Sequence, residues 1–357
     1  MTNESNVNAL IERQFEVADG NVSSLSLPKF DKYTVCNLRG GIGKTSLAFN
    51  LSYLADDALI VDTCPQGNLS YFFDNNYASS TSTTANDLLM PYFVPGLGFA
   101  TRAAKLISST NPWFAGKQNY FIQSDSQLYL LPTQMANALA QARTITGATQ
   151  QVVIDNILFS LKKEIEREMT ETETKKVLID TSPFFSGATH LSWHATDALI
   201  VPVRTDQQSI NSLRLLIDTL TKPTSEFRKT MPSDGHTPKI QMVVITHCGW
   251  STVAGARNKP NQQTKMYIEA VREVIRQNIS NFTTNDPNNH IVILDDFLGS
   301  GRMSSAKSKP LELLNPGDAM TVNRVRTSVN LSVNKIKNEL KFIHNSIMVN
   351  SRLSALD

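Results

Sequence analysis

A glycine-rich loop between an apolar stretch and an amphipathic stretch is the feature that most constrains this chain. The run Arg-Gly-Gly-Ile-Gly-Lys-Thr-Ser at 39–46 follows the apolar residues 33–38 and precedes an amphipathic segment that continues to about Ala55. Strand, glycine turn and helix, in this order, are the context of a phosphate-binding loop. Glycines let backbone N–H groups curl around a phosphate, and the start of a helix adds free donors and partial positive charge. The chain is therefore expected to bind a nucleotide.

The loop predicts a set of binding residues. Lys44 can reach the β- and γ-phosphate oxygens, and the Thr45 hydroxyl can bind Mg²⁺. The residues predicted to bind the cofactor are Gly40, Gly41, Ile42, Gly43, Lys44, Thr45 and Ser46. The common pattern G-x-x-x-x-G-K-S/T would place glycine at position 38, but leucine stands there and a second cation, Arg39, precedes the glycines.

Short apolar runs alternate with amphipathic stretches along most of the chain. The predicted strands are 33–38, 58–61, 128–131, 176–180, 198–203, 240–246 and 291–294. Helices are predicted after the loop, at 154–169, around 210–220 and 267–275, and as one long C-terminal helix over 322–343. The alternation is typical of an α/β fold, a doubly wound, mostly parallel sheet with helices on both faces.

One domain over residues 31–345 is the simplest organisation. Residues 1–30 are then a polar N-terminal extension, 346–357 a C-terminal tail, and 86–125 an insertion on the surface. The net charge of +2 means that any affinity for nucleic acid must come from a local patch. Three widely spaced cysteines, an acidic N-terminus and the lack of a long apolar segment favour a cytoplasmic protein that does not bind membranes.

Two aspartates follow predicted strands directly. Asp62 comes after strand 58–61 and Asp180 ends strand 176–180. In such a sheet, chemistry gathers at the C-terminal ends of the strands. A carboxylate beside a phosphate loop can hold water bound to Mg²⁺, so Thr45, Asp62 and Asp180 are the predicted metal-site residues. Asp180 is the better candidate because the apolar strand residues before it fix its position. The alternative is that such an aspartate only caps a helix or stabilises a turn.

Three segments resemble the ParA/MinD family of ATPases with a deviant phosphate loop. Residues 39–45 are similar to its Lys-Gly-Gly-x-Gly-Lys-Thr loop. Residues 61–68, Val-Asp-Thr-Cys-Pro-Gln-Gly-Asn, resemble its Asp-x-Asp-Pro-Gln-Gly-Asn segment, and 177–183, Val-Leu-Ile-Asp-Thr-Ser-Pro, resemble its Ile-Asp-x-Pro-Pro run. The resemblance covers roughly residues 33–345, and the Pro-Gln-Gly-Asn segment favours the ParA branch.

The resemblance implies a cycle. Members of the family bind ATP and Mg²⁺, form a face-to-face homodimer around two nucleotides and bind DNA nonspecifically, and a partner protein stimulates hydrolysis. Such cycles segregate plasmids or chromosomes, or position other cargo, at the nucleoid. The implied catalytic residues are Arg39, Lys44, Asp62 and Asp180, with Arg39 standing where the family's lysine reaches across the dimer. Cys64 replaces an aspartate that helps to position water, and a thiol is a poor acceptor. The prediction is therefore slow intrinsic hydrolysis, or hydrolysis that depends on another group such as Gln66, Thr181 or a residue of a partner.

A basic surface is the predicted contact with DNA. The candidate residues are Arg257, Lys259, Lys265, Arg302, Lys307 and Lys309. In the resembled family, arginines in roughly these regions contact the DNA backbone, which needs only charge on a common face. Ordinary solvated helix charges are the alternative.

Two other functions fit the resemblance. One is a nucleotide-locked binding or scaffold protein that hardly hydrolyses ATP, because of Cys64. The other is a MinD-like positioner recruited to membranes through the C-terminal helix, which has little cationic flank for that role.

Overall fold

Runs of β-branched and aliphatic residues form a sheet that is buried on both faces. The computed structural model describes residues 3–185, 187–248, 260–322 and 324–348. Within these ranges the main sheet consists of β1 (Lys32–Val35), β2 (Ala58–Asp62), β3 (Lys105–Leu106), β4 (Tyr120–Ile122), β5 (Lys176–Asp180), β6 (Ala198–Arg204), β7 (Lys239–Thr246) and β8 (Ile291–Ile293). Their order is β3-β4-β2-β5-β1-β6-β7-β8. All neighbours pair in parallel except β3 with β4.

Helices cover both faces of this sheet. They are α1 (Asn3–Ala18), α2 (Lys44–Leu54), α3 (Asn68–Phe73), α4 (Ala85–Leu89), α5 (Leu131–Ala142), α6 (Ala148–Leu158), α7 (Ser160–Thr172), α8 (Gly187–Ala195), α9 (Gln207–Thr221), α10 (Glu226–Lys229), α11 (Gln262–Gln277), α12 (Leu298–Lys307) and α13 (Ser332–Ile347). Side chains of α2, α3, α12 and α13 pack on one face, and those of α4 to α11 pack on the other. The predicted doubly wound α/β fold is confirmed.

The N-terminal segment is part of the core, not a polar extension. Val7, Leu10 and Ile11 of α1 are buried with side chains of β7 and β8. Arg13 donates hydrogen bonds to the carbonyl oxygens of Ile291 and Asn288. Because β8 is the last strand of the sheet, α1 covers an edge that would otherwise expose unpaired backbone groups.

Residues 86–125 are not a simple surface insertion. They supply β4, which pairs with β2, and Phe121 and Ile122 are buried. The strand predicted at 128–131 is wrong, because this segment is a 3₁₀ turn over Ser126–Tyr129 followed by α5. Pro132 lies in the first turn of α5, where a missing N–H costs nothing, so this proline opens a helix and does not end a strand.

Two predicted helices are divided in the structure. The one at 154–169 is α6 and α7, which meet at Phe159. The long C-terminal helix is a hairpin of β9 (Ala319–Val322) and β10 (Val325–Ser328), followed by α13. Valines at steps of three and four fit a helix, but β-branched residues also favour strands. The predicted tail begins inside α13 and otherwise lies outside the described residues.

Candidate functional site

The glycine loop joins the end of central strand β1 to the start of α2. Gly41 and Gly43 have φ angles of +71° and +90°, a left-handed conformation that residues with a Cβ avoid. Within the described chain, no side chain caps the start of α2, and its first turn holds no acidic residue. Its backbone N–H groups and partial positive charge therefore face the loop, which suits an anion.

Lys44 folds back across the loop. Its ammonium group donates a hydrogen bond of 2.8 Å to the carbonyl oxygen of Arg39, five residues earlier. Burial lowers the pKa of Lys44, and the carboxylate of Asp180 acts in the opposite direction. The loop thus holds the partly shielded cation of Lys44.

Asp180 lies at the end of β5 beside the start of α2. Thr45 Oγ1 donates a hydrogen bond of 2.7 Å to Asp180 Oδ2. Among the described residues, the other oxygen, Oδ1, is buried without a hydrogen-bond partner. Burial and then the charge of Asp62 raise the pKa of Asp180 to about 7. A hydroxyl and an unpartnered carboxylate oxygen are ligands that Mg²⁺ prefers, so these residues fit that ion.

Asp62 organises the segment that follows β2. Its Oδ1 accepts from the backbone N–H of Cys64 at 3.0 Å, and its Oδ2 accepts from the N–H and hydroxyl of Ser70, both at 2.8 Å. Burial raises the pKa of Asp62 to about 6. Both oxygens of Asp62 are therefore engaged within the fold, unlike those of Asp180.

Cys64 lies in the turn between Asp62 and α3. The Ser124 hydroxyl donates a hydrogen bond of 2.5 Å to its carbonyl oxygen, which ties this turn to the end of β4. Burial and then the neighbouring charge of Asp62 raise the pKa of the Cys64 thiol to about 11. The thiol is therefore protonated at neutral pH and cannot act as a general base there.

Arg39 contacts residues of the same chain that no local sequence pattern indicates. Its guanidinium group donates to the carboxylate of Asp206 and, at 2.6 Å, to the hydroxyl of Ser209. Asp206 also caps α9 by accepting from the backbone N–H of Ser209 at 2.9 Å. Although burial works against it, hydrogen bonds from Arg39 and Ser209 lower the pKa of Asp206. The available sequence signal was an aspartate between strand β6 and an amphipathic run.

A cleft of about 950 Å³ opens beside the loop. Its walls come from the loop, from the ends of β7 and β8, from α12 and from β10. The lining includes Gly41, Gly43, Ser46, Thr246, His247, Asp295, Asp296, Phe297, Arg302 and Thr327. Thr246 Oγ1 donates to the carbonyl oxygen of Ile42 at 3.2 Å, so β7 supports the loop directly.

The predicted DNA contacts do not form one patch. Arg257 and Lys259 lie outside the described residues. Lys265 is on α11, which packs on the face of the sheet opposite α12. Arg302 and Lys307 are exposed on α12, and Arg302 also lines the cleft.

The Lys309 side chain contacts an aromatic ring. Its ammonium group lies 4.6 Å from the centre of the Trp113 ring. The indole N–H of Trp113 donates to the carbonyl oxygen of Lys307 at 3.2 Å. Trp113 therefore packs against the end of α12.

The fold and the site define a phosphate-loop nucleotide-binding protein. A family model described as an AAA domain, of the ParA/MinD-like kind, matches residues 31–232, which is more than half of the chain. The chain belongs to this ParA/MinD-like family of ATPases.

Individual relatives are distant. The uncharacterized protein MJECL24 of Methanocaldococcus jannaschii is 24% identical over 191 residues, which are 52% of this chain and 64% of that protein. The match thus spans less than two thirds of that relative's length. The ATP complex of a Cyanothece McdA variant is 20% identical with a TM-score of 0.52, covering 79% of this chain and 88% of the other.

A second solved structure has the same fold. A proposed plasmid partition protein of Borrelia burgdorferi B31, bound to AMPPNP, is 13% identical with a TM-score of 0.52. The match covers 88% of this chain and 97% of that one. At these identities the two structures support the fold and not the details of the site.

Proposed function

We propose that this chain is an ATP-dependent switch of the ParA type. In this proposal ATP and Mg²⁺ drive a homodimer that binds DNA nonspecifically at the nucleoid, and hydrolysis stimulated by a partner protein resets it. The cycle would segregate a plasmid or chromosome, or position other cargo, in the cytoplasm. The proposal rests on the glycine loop around Lys44, whose Gly41 and Gly43 adopt left-handed backbone conformations, and on the Thr45–Asp180 hydrogen bond beside it.

The nucleotide is proposed to be ATP. The loop offers backbone donors and Lys44 for phosphates, and the cleft of about 950 Å³ beside it is large enough for a base and a sugar. The relatives bound to ATP and AMPPNP support the same choice. Along the cleft wall, the Asp296 carboxylate can accept hydrogen bonds from the sugar hydroxyls, and the Thr246 hydroxyl can accept or donate them.

Thr45 and Asp180 are proposed to hold Mg²⁺, with Asp62 shaping the segment beside them. When bound, this ion would neutralise charge that develops on the transferred phosphoryl group. The bonds from Cys64 and Ser70 to Asp62 keep that carboxylate in place, so we assign it to positioning and not to direct binding of the ion.

Exposed apolar side chains near the glycine loop support the proposed dimer. Three large apolar side chains are exposed there: Tyr129 by 55%, Leu130 by 60% and Phe184 by 42%. Phe184 follows β5, and Tyr129 and Leu130 lie in the turn that leads into α5. The two segments meet, because a Cβ added at Gly187 would lie 3.0 Å from Pro132 of α5. Exposed apolar side chains grouped in this way are typical of a surface that meets a partner.

Two alternative functions differ in how well they are supported. A nucleotide-locked protein that hardly hydrolyses ATP is supported by Cys64, because a protonated thiol cannot position water as a carboxylate does. Membrane recruitment through the C-terminal helix has less support, because Ile336, Leu340 and Ile343 of α13 are buried in the core. Among the described helices, none is long and apolar enough to cross a bilayer.

Replacing Lys44 by alanine tests the proposal. We expect ATP affinity to fall by about 100-fold or more, because a charge-assisted contact to phosphate in a shielded loop is lost. ATP-dependent self-association, measured by light scattering, should disappear with it. Lys32→Ala is the matched control, since it removes a cation at the other end of β1 that pairs with Glu166. Unchanged nucleotide affinity and self-association in Lys44→Ala would exclude the proposed switch.

A further inference from the structure

We propose that the carboxamide of Gln66 positions the water that attacks ATP, and that Tyr77 holds Gln66 in place for this role. This inference rests on the proposed function and assigns one part of its hydrolysis step. The geometry behind it is the turn formed by residues 64–67, which follows β2 on the phosphate side of the site. Gln66 contacts the reacting water, and Tyr77 is a positioning residue that acts through it.

The turn begins beside the residues that are proposed to hold Mg²⁺. The backbone N–H and the hydroxyl of Thr63 donate to the carbonyl oxygen of Asp180, at 3.0 Å and 2.8 Å. The carboxylate of Asp180 accepts the hydrogen bond from Thr45 at the start of α2. Cys64 follows Thr63 directly, so the turn starts at the edge of the sheet where the glycine loop ends.

Backbone hydrogen bonds close the turn. The N–H of Gly67 donates to the carbonyl oxygen of Cys64 at 2.8 Å, and the N–H of Cys64 donates to Asp62 at 3.0 Å. Pro65 occupies the second position of the turn, which its fixed φ angle suits. Gly67 has a φ angle of +63° and caps α3. Gln66 is therefore held at the tip of the turn, where its side chain is exposed.

Tyr77 covers this turn. The chain folds back after α3, and the N–H of Tyr77 donates to the carbonyl oxygen of Asp74 at 3.0 Å. The Tyr77 hydroxyl donates to the carbonyl oxygen of Gln66 at 3.3 Å and fills the space that a Cβ at Gly67 would need. Burial, and then the charge of Asp62, raises the pKa of Tyr77, so the phenol keeps its proton and remains a donor at neutral pH.

Other side chains near the turn are less suited to orient water. The Cys64 thiol is protonated and a poor acceptor. The Thr181 hydroxyl is buried and donates to the carbonyl oxygen of Val35 at 3.0 Å. The side-chain oxygen of Gln66 accepts from Asn68 at 3.4 Å, a long contact that a water can replace. Of these groups in the described chain, the Gln66 carboxamide is the best placed to meet water.

The chemistry requires an oriented water but no protein base. The water oxygen forms a bond to the γ-phosphorus while the bond between that phosphorus and the β–γ bridging oxygen breaks. ADP leaves with the electron pair of the broken bond, and the proton of the water ends on inorganic phosphate. The Gln66 carboxamide accepts a hydrogen bond from the water through Oε1 and donates one to a γ-phosphate oxygen through Nε2. It orients the water without taking a proton.

The test replaces Gln66 by alanine, which removes the carboxamide and keeps the carbonyl oxygen that Tyr77 contacts. Cleavage of γ-labelled ATP is followed in a single turnover with the full chain in excess and Mg²⁺ present, so that a slow rate can be measured. We expect about 30-fold slower cleavage, with ATP affinity within about twofold of the wild type, because the lost contact is to the water. Gln118→Ala changes an exposed glutamine before β4, at the other end of the strands, and should cleave ATP like the wild type.

Tyr77→Phe removes the hydroxyl and keeps the ring. We expect about threefold slower cleavage, and no further loss when the substitution is added to Gln66→Ala, because the hydroxyl acts through Gln66. ADP with aluminium fluoride mimics the phosphoryl group in transfer, so its affinity should fall with the cleavage rate in each variant while AMPPNP affinity stays unchanged. A purely structural role of Tyr77 would instead lower the thermal midpoint and slow Gln66→Ala further.

The possible results distinguish the water contact from the switch. Wild-type cleavage that Gln66→Ala retains would overturn the assignment of Gln66 and leave the switch standing. Slower cleavage with equally weakened ATP binding would also overturn it, because Gln66 would then bind the nucleotide and not the water. Wild-type chain that binds ATP but cleaves none would contradict both the role of Gln66 and the hydrolytic reset of the switch.

Discussion

The two sides of the site are built from the chain in different ways. The phosphate side comes from one continuous strand–loop–helix unit, with Asp62 and Asp180 as the last residues of β2 and β5. The cleft side combines the ends of β7 and β8 with α12 and β10, which are separated by long stretches of sequence. Local backbone geometry therefore determines the first side, and long-range packing determines the second.

The contacts that support each side reflect this difference. On the phosphate side, Gly41 and Gly43 adopt conformations that their own lack of a Cβ permits. On the cleft side, the backbone N–H of Asp295 donates to buried Glu339 of α13 at 2.8 Å, and Gln14 of α1 donates to the same carboxylate. Both terminal helices thus hold one wall of the cleft, which no local pattern around Asp295 could indicate.

Among the substitutions that test this difference between the two sides, Gly43→Ala has the largest expected effect, and it alters the phosphate side alone. A Cβ at this position meets no atom within 4 Å, so the substitution acts through the φ angle of +90° and not through a clash. A left-handed residue with a Cβ costs roughly 1–2 kcal/mol, and a shifted loop also loses phosphate contacts, so we expect about 30-fold weaker ATP binding. Isothermal titration calorimetry measures this change.

Gly98→Ala is the control for Gly43→Ala. Gly98 also has open space around it, but its φ angle is not in the left-handed region. Its substitution should leave nucleotide affinity unchanged. Equal affinities for both variants would show that the conformation of the loop does not limit binding.

The same difference explains what the sequence could predict. The loop, both strand-terminal aspartates and most strands follow from short apolar runs and glycine spacing, which are local signals. Strand β4 was missed because its three residues lie among turns, and Pro132 gave a misleading stop signal nearby. The valines of 322–329 satisfy a helical period and a strand propensity at once, so these local signals do not predict the pairing of β9 with β10.

The cleft side and the partner of Arg39 escaped prediction for a related reason. Asp206 is a common type of helix cap, and nothing in the residues around it indicates that Arg39 lies against it. Likewise, charge and the family resemblance predict that Arg302 contacts DNA, but its position on the cleft wall depends on how α12 packs. Charges specify chemistry, but the tertiary fold specifies what they face.

A second prediction concerns the rate of ATP hydrolysis and Cys64, which lies next to the phosphate side. Cys64→Asp introduces a carboxylate beside the end of β2, where it can accept a hydrogen bond from the attacking water. A positioned base contributes about 100-fold or more in favourable cases, but the charges of Asp62 and Asp180 oppose another anion, so we expect about a tenfold faster steady-state release of phosphate. The chain should be saturated with ATP and Mg²⁺ in this assay.

Cys64→Ser distinguishes the carboxylate from a change in size. A hydroxyl of nearly the same volume adds no base and should leave the rate within about twofold of the wild type. No gain in Cys64→Asp, with ATP affinity retained, would remove this interpretation of Cys64 and favour the nucleotide-locked alternative.

The smallest expected effect lies where the two sides meet, at the ion pair of Arg39 with Asp206. If Arg39 must leave its own subunit to reach a phosphate across the dimer, Asp206→Asn should make self-association easier. Asparagine still caps α9, so the helix is preserved. A partly exposed pair contributes roughly 0.5–1 kcal/mol, so the ATP concentration at half-maximal association should fall by about two- to fivefold.

Asp218→Asn on the same helix is the matched control, because it breaks an exposed pair with Lys222 that does not involve the loop. It should leave the association midpoint unchanged. The effect of Asp206→Asn should also vanish when Arg39 is replaced by alanine in both chains, since the two residues then no longer interact. A higher ATP requirement in Asp206→Asn would mean that the pair holds Arg39 in its productive position, and that the cleft side of the site supports dimer formation instead of opposing it.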